Sequence, residues 1–165
     1  MLNVVLLLLL IVACAGLGFL AASRLKQREQ AIHGLIDGFK TLAMHMEYAD
    51  LPLREAFVKT AQTANGCIRE MFNEVARNMH NNGLLPAFDN AADGLMVNEA
   101  DQAVLKNFAR NLGNTDRASQ RKNFELLQNS LAAQHTDAIN EYAKKGRIYR
   151  SLGILAGLAL AIILI

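Results

Sequence analysis

Two apolar stretches lie at the ends of the chain, and basic residues cluster on the inner side of each. Residues 2–22 are apolar except for Asn3, and three cations follow within six residues. Residues 152–165 contain no charge, no side-chain amide and no proline, and four cations lie in the eight residues before them. The seven flanking cations are Arg24, Lys26, Arg28, Lys144, Lys145, Arg147 and Arg150.

These stretches predict two membrane helices, at residues 1–23 and 148–165. A helix needs about 20 mainly apolar residues to cross a bilayer, so the first stretch is long enough by itself. The second, counted from Ser151, is long enough only if it also recruits residues 146–150, where arginine side chains can extend their charged heads to the lipid phosphates.

Other interpretations of both stretches are less favoured. Residues 11–14 (Ile-Val-Ala-Cys) resemble a lipoprotein signal, and a cleaved signal peptide is also considered. However, no cation precedes the apolar run, and the run continues eight residues past Cys14. The second stretch could be a buried helix of a soluble domain, but such a helix normally keeps a polar face. An uncleaved two-span protein is therefore expected.

The basic clusters also predict the topology. Short segments rich in Lys and Arg stay on the cytoplasmic side of a membrane. Residues 24–147 are therefore expected in the cytoplasm, with both termini across the membrane. This segment is long enough for one domain with its own core.

Between the apolar stretches, apolar residues recur at spacings of three, four and seven, as on one face of an α-helix. No run of alternating β-branched residues, which is typical of a strand, occurs there. Turn-forming residues interrupt the pattern near positions 50–52, 65–66, 81–83, 94 and 113. The pattern predicts an all-α fold: a six-helix antiparallel cytoplasmic bundle flanked by N- and C-terminal transmembrane helices.

The first and sixth helices are expected to run unbroken between the apolar stretches and the bundle. The first carries an apolar stripe as far as Tyr48, and the sixth places Ile139 inward. We expect Asp50 to cap the second helix and Asn98 the fifth.

Glycines are expected at three helix ends. The second helix is predicted to stop at Asn65-Gly66 and the third at Asn81-Asn82-Gly83. Gly113 is predicted to end the fifth helix with a positive φ, which glycine readily adopts.

Charge narrows the class of partner. The net charge is +2, from 17 basic and 15 acidic residues. Seven of the cations flank the predicted spans, so the ten that remain are outnumbered by the acidic residues. The positive net charge therefore comes from cations that anchor the spans at the membrane surface, and no nucleic-acid surface is expected. Cys14 and Cys67 fall in a span and in the domain, so they cannot pair, and a reducing compartment fits.

Sequence patterns for catalysis are missing. The chain has no phosphate-binding Gly-x-x-x-x-Gly-Lys loop and no serine in a nucleophile elbow. None of the four histidines has a histidine or cysteine at metal-ligand spacing. We therefore expect a non-enzyme without a catalytic residue, a cofactor or a metal.

Both predicted spans carry small residues at every fourth position. Such a ridge lets helix backbones approach closely in lipid. Ordinary small-residue abundance in spans is an equally good explanation. The candidate span-packing residues are Cys14, Gly18 and Ala22 in the first span and Gly153, Gly157 and Ala161 in the second.

Three segments of the chain resemble the stage III sporulation protein AB family of endospore-forming bacteria. They are Tyr48-Ala-Asp-Leu-Pro-Leu-Arg-Glu-Ala56, the segment from Leu105 through Phe108, Leu112, Gly113 and Asp116 to Gln120, and Ser151-Leu-Gly-Ile-Leu-Ala-Gly157. Length and two-span layout also agree, so the resemblance covers nearly the whole chain. The chain departs from the family pattern at His45 and Ala109.

The resemblance implies a role in the channel-like complex that links mother cell and forespore during engulfment. It places the protein in the cell membrane on the mother-cell side, in the outer forespore membrane. The domain is similar to one half of the inner-membrane platform protein of type II secretion, which carries two such domains. A secretion-type ATPase and other membrane proteins of the sporulation complex are the implied partners, and a homo-oligomer is expected.

Within this interpretation, the far ends of the membrane-linked helices are the predicted site of ATPase docking. A solvated cap with helix-capping acids is the plainer explanation of the charges there. The candidate docking residues are Asp50, Arg54, Glu55, Asp116, Arg117 and Arg121. A membrane-tethered helical adaptor or regulator is the main alternative function, and a membrane-bound helical enzyme is a weaker one because the motifs are missing.

Overall fold

Helices are the regular secondary structure of the described part of the chain. The computed structural model describes the backbone of residues 2–112 and 116–164 and the side chains of residues 9–81, 83–112 and 116–162. Over these residues it contains six helices and no strand, which confirms the predicted all-α class. The helices are α1 (Leu2–Glu47), α2 (Leu53–Thr63), α3 (Gly66–Asn82), α4 (Leu84–Ala92), α5 (Glu99–Asn111) and α6 (Arg117–Leu164).

The first and last helices are much longer than the others, with 46 and 48 residues. As the absence of internal breakers predicts, both run without interruption from the terminal apolar stretches into the middle of the chain.

Packing divides the chain into two units. The terminal unit comprises Met1–Glu29 and Asp137–Ile165, and the core unit comprises Gln30–Thr136.

One phenylalanine from each of the six helices builds the centre of the core unit. Neighbouring rings in this cluster have centroids 5.0–6.2 Å apart, mostly in edge-to-face or tilted arrangements. Aromatic pairs favour these geometries because the ring edge is positive and the face negative. All six side chains are buried. The members are Phe39, Phe57, Phe72, Phe88, Phe108 and Phe124.

Two glycines of α1 let this helix approach α3. A Cβ atom on Gly38 would lie 2.5 Å from the ring of Phe72, and one on Gly34 would lie 2.8 Å from Ile68 Cγ1. Any larger residue would push into side chains that are themselves buried. The sequence patterns above did not single out this pair, although its four-residue spacing matches that of the small residues in the apolar stretches.

Two helix ends agree with the sequence. Asn98 caps α5 in a reciprocal capping box, in which its side chain accepts from the Asp101 backbone and Asp101 accepts from the Asn98 N–H. Gly83 ends α3 with φ of +81°, a conformation that glycine adopts without strain. The predicted cap at Gly113 lies outside the described residues.

Three expectations for local structure were wrong. Asp50 does not cap α2, because Pro52 holds the N-cap position and Asp50 turns the chain with φ of +50°. Gly66 begins α3 with φ of +53°, whereas α2 already ends at Thr63. Ile139 is 45% exposed on α6 and lies outside the core. In each case the residue type was suitable, but packing of the neighbouring helices determined where the turn or the buried face falls.

Candidate functional site

The small residues of α1 and α6 meet in the terminal unit. A Cβ atom on Gly18 would lie 2.5 Å from the Tyr149 carbonyl oxygen, and one on Gly153 would lie 2.9 Å from the Cys14 carbonyl oxygen. One on Gly157 would lie 3.1 Å from Ile11 Cα. Residues further along α1 therefore contact residues earlier in α6. The two helices run antiparallel, with their backbones in contact.

These contacts bring predicted span-packing residues together within one chain. Cys14 and Gly18 of the first ridge face Gly153 and Gly157 of the second. Ala22 and Ala161, which continue the two ridges, are also buried. Close approach of backbones maximises van der Waals contact where lipid supplies no hydrophobic driving force. In this structure the two ridges therefore pack against each other within a single chain.

An ion-pair group joins the same two helices nearer the middle of the chain. Arg28 Nη1 donates to Glu141 Oε2 at 2.8 Å, and Lys145 Nζ donates to the other carboxylate oxygen. The hydrogen bond from Lys145 and the positive charges of Lys145 and Arg28 lower the pKa of Glu141, against a smaller opposing effect of burial. The arginine side chain is only 11% exposed, so this contact is better shielded from water than an ordinary surface pair.

A cleft of about 340 Å³ opens in the core unit between the end of α1 and the start of α6. Its α1 side carries apolar and acidic groups, and its α6 side carries two arginines and Phe124 of the phenylalanine cluster. The lining residues are Met46, Glu47 and Tyr48 from the first side and Arg117, Ala118, Gln120, Arg121 and Phe124 from the second. Tyr48 is 80% exposed at the rim.

Four of the predicted docking residues gather at or beside this cleft. Arg117 Nη2 donates to Asp50 Oδ1 at 2.6 Å, although both side chains are largely exposed. Arg121 lies one turn further along α6 and is exposed. Asp116 immediately precedes α6 and accepts the Ser119 N–H at 3.4 Å. Hydrogen bonds from Ser119 lower the pKa of Asp116.

The other two predicted docking residues lie elsewhere on the surface. Arg54 Nε donates to the Ala76 carbonyl oxygen at 3.2 Å and so ties α2 to α3. Glu55 is exposed on α2, and neither residue lines the cleft. Sequence reasoning had not proposed Met46 and Glu47, which do line it. An exposed aromatic residue directly after a helix end, Tyr48, was the available signal for this surface.

The family is established by the sequence over almost its whole length. The model of the family described as "Stage III sporulation protein AB (spore_III_AB)" matches residues 3–165. The chain belongs to the stage III sporulation protein AB family. This membership confirms the resemblance of the sequence motifs and gives the protein a role in sporulation.

Two relatives agree with this membership. Stage III sporulation protein AB of Bacillus subtilis (strain 168) is 28% identical over 161 residues, which is 94% of each chain. The solved structure of "Stage III sporulation protein AB (SpoIIIAB)" matches with a TM-score of 0.64 and 24% identity, over 70% of this chain and 96% of that one. The latter likeness supports the helical fold.

The names of these relatives are not those of enzymes. No group of three or more His, Cys, Asp or Glu side chains suited to a metal ion occurs among the described residues. One helical segment of the described chain, Leu9–Glu47, is long and apolar enough to cross a membrane. The family membership fits a membrane-associated protein.

Proposed function

We propose that this protein is a membrane platform that scaffolds a secretion-like complex between mother cell and forespore during engulfment. It would lie in the outer forespore membrane on the mother-cell side, with residues 1–23 and 148–165 as spans and the domain between them in the cytoplasm. The observation that carries this proposal is the close antiparallel contact of α1 and α6 at Gly18 and Gly153, next to stretches flanked by cations. Family membership supplies the sporulation context.

A platform without a nucleotide site must couple to an energy source through protein contact. The chain contains no phosphate-binding glycine loop, so a secretion-type ATPase is the proposed partner, together with other membrane proteins of the sporulation complex. The proposed docking surface is the cleft rim, where Arg117 and Arg121 lie one turn apart. Arginine is enriched at protein interfaces because its planar head makes several hydrogen bonds and packs flat.

Co-purification of the tagged full-length protein from membranes of sporulating cells tests this role. The wild-type protein should retain the ATPase, and Arg117→Glu with Arg121→Glu should abolish that retention while helicity and membrane insertion stay normal. The matched control is Lys59→Glu with Arg77→Glu, which reverses two exposed cations elsewhere in the core unit. Unchanged ATPase retention and spore yield in the first variant would place docking on another surface.

The same experiment separates the adaptor alternative from the platform. A membrane-tethered regulator would be needed for sporulation without holding an ATPase. Loss of spore yield on deletion, combined with no ATPase in the purified wild-type complex, would therefore favour the regulator.

Self-association is a further part of the proposal. The platform protein of type II secretion carries two helical domains in one chain, whereas this chain carries one, so we propose at least a dimer. The small-residue ridges are occupied inside the chain, so another surface would have to make the contact between copies.

A further inference from the structure

The cleft of the core unit is lined by apolar and aromatic side chains together with two arginines and one glutamate. Phe124 is 4% exposed and lines the cleft as part of the aromatic core, while Met46 and Tyr48 line the opposite side. Its volume of about 340 Å³ is at the small end of the range for ligand pockets. A site of this size and open shape suits one apolar side chain of a peptide better than a large cofactor.

The charged side chains at the rim differ in whether they have a hydrogen-bonding partner. Asp116 accepts a hydrogen bond from Ser119, and Asp50 accepts one from Arg117. Arg121 makes no hydrogen bond or ion pair with the described residues, and its position in the first turns of α6 places it near the positive end of the helix dipole. Glu47 is the acidic group that lines the cleft itself. An incoming carboxylate would therefore find Arg121 available directly.

The Asp50–Arg117 pair is suited to exchange its partner. The two side chains are 74% and 85% exposed, and ion pairs this open to water add little to stability. Asp50 lies in the short connection between α1 and α2, with φ of +50°, outside any helix. A carboxylate from another molecule could replace it on Arg117 without disturbing the packed helices.

We propose that the cleft binds an acidic protein segment that carries one apolar side chain. The apolar group inserts between Tyr48 and Phe124, and carboxylates bind Arg121 and Arg117. Asp50 acts as an internal competitor that leaves Arg117 when the segment binds. This inference deepens the proposed docking role by naming the chemistry of the partner, and it rests on that role only for the partner's identity.

Binding of defined peptides to the full-length protein in lipid nanodiscs tests the chemistry. The probe is a fluorescein-labelled Glu-Asp-Leu-Phe-Glu-Asp peptide, measured by anisotropy. Two matched peptides replace either the acids by Lys and Arg or the central pair by serines. We expect each replacement to weaken binding by about tenfold or more, because both the charges and the apolar anchor are required. Equal binding of all three peptides would overturn the proposal.

Variants of the protein test the assignment of each group. Arg121→Gln and Tyr48→Ala should each weaken the acidic peptide by roughly five- to tenfold. Asp50→Asn should strengthen it by about two- to fivefold, because the competitor for Arg117 is removed. The control, Arg110→Gln on α5, should have no effect. Circular dichroism checks that each variant keeps its helices. If Asp50→Asn instead binds the peptide more weakly, Asp50 does not compete with the peptide for Arg117. That result would mean that the Asp50–Arg117 pair supports the site, and it would contradict the proposed exchange.

Parallel ATPase co-purification separates this inference from the proposed function. If the ATPase is retained equally by the wild type, Tyr48→Ala and Arg121→Gln, and the acidic peptide also binds all three equally, the inference about the cleft is wrong and the platform role stands. If the acidic peptide binds with the predicted variant pattern but no ATPase is retained, the cleft chemistry stands and the ATPase is not its partner.

Discussion

At the scale of single residues, the absence of a side chain is as important as its presence. Gly38 is buried against Phe72, whose ring packs between those of Phe39 and Phe57. The ring cannot move aside without disturbing both neighbours. The same logic applies to Gly34 beside Ile68, one turn earlier on α1.

Gly38→Ala should destabilise the protein. Its Cβ atom would lie 2.5 Å from Phe72 Cε2, closer than any normal contact. Overpacking of this kind costs about 1–3 kcal/mol, which lowers the melting temperature by several degrees in a domain of this size. Thermal unfolding of the full-length protein in detergent, followed by circular dichroism, measures the shift. Gly94→Ala is the control, since its Cβ atom would make an ordinary 3.8 Å contact. Equal melting temperatures for Gly38→Ala and the wild type would show that the Phe72 ring can shift to make room for the added methyl group.

At the scale of helices, α1 and α6 are held together by two different kinds of contact. In the terminal unit, glycines bring the backbones together at Gly18 and Gly153, and the ion pair of Arg28 with Glu141 lies further along the same pair of helices. The first contact depends on shape alone. The second depends on charge and therefore on pH.

The ion pair should make stability fall in acid. The pKa of Glu141 is lowered in the folded protein, so its contribution is fully present above the ordinary value of 4.5. It is lost as pH falls through the lower, folded pKa. Glu141→Gln should therefore be less stable than the wild type by about 1 kcal/mol or less at pH 7. The difference should disappear at pH values below the folded pKa. Thermal unfolding of the wild type and Glu141→Gln at pH 7 and in acid measures the difference in stability. If the difference persists in acid, the glutamate acts through packing and its charge is not the cause.

A disulfide can determine whether the ridges meet inside a chain or between chains. A Cβ atom on Gly157 would lie 3.3 Å from Cys14 Cβ, just under the spacing found in disulfides, and 3.1 Å from Ile11 Cα, so a side chain there requires a small separation of the two helices. In a Cys67→Ser background, Gly157→Cys should oxidise to a bridge within one chain. We expect the denatured protein to lose two thiols that react with maleimide-polyethylene glycol. We also expect no dimer band on a non-reducing gel. A disulfide-linked dimer would place the contact between chains. Gly16→Cys is the control, because no heavy atom lies within 4 Å of its Cβ position.

At the scale of the whole molecule, sidedness is the property on which the proposed role depends. The predicted topology places residues 24–147 in the cytoplasm, following the seven flanking cations. A platform needs this orientation, because the ATPase that it holds would be cytoplasmic. The structure supplies a natural probe, since Cys67 is exposed on α3 of the core unit.

In intact cells, a membrane-impermeant maleimide should not label Cys67 until the membrane is permeabilised. Ile165→Cys, in a background with Cys14→Ser and Cys67→Ser, should be labelled without permeabilisation. The reagent reaches only groups on the outer side, so the two sites should give opposite results. Labelling of Cys67 from outside would reverse the topology and remove the proposed ATPase surface from the cytoplasm.

The helical class, the unbroken outer helices and the family could all be read from the order of the residues. Helix periodicity and the lack of breakers in α6 are local properties, and they are readable because each turn of helix is specified by neighbours in the chain. The cap at Asn98 and the end of α3 at Gly83 were predictable for the same reason.

Which of the suitable residues contact one another could not be read from the sequence. The sequence grouped Arg54 with Asp50 and Arg117, but Arg54 bonds to α3 while Asp50 and Arg117 form an ion pair. The six phenylalanines that form one cluster are spread over residues 39–124, and nothing in their spacing predicts that every helix contributes one. Contacts between distant segments depend on how helix faces pack together, which is a property of all the helices at once.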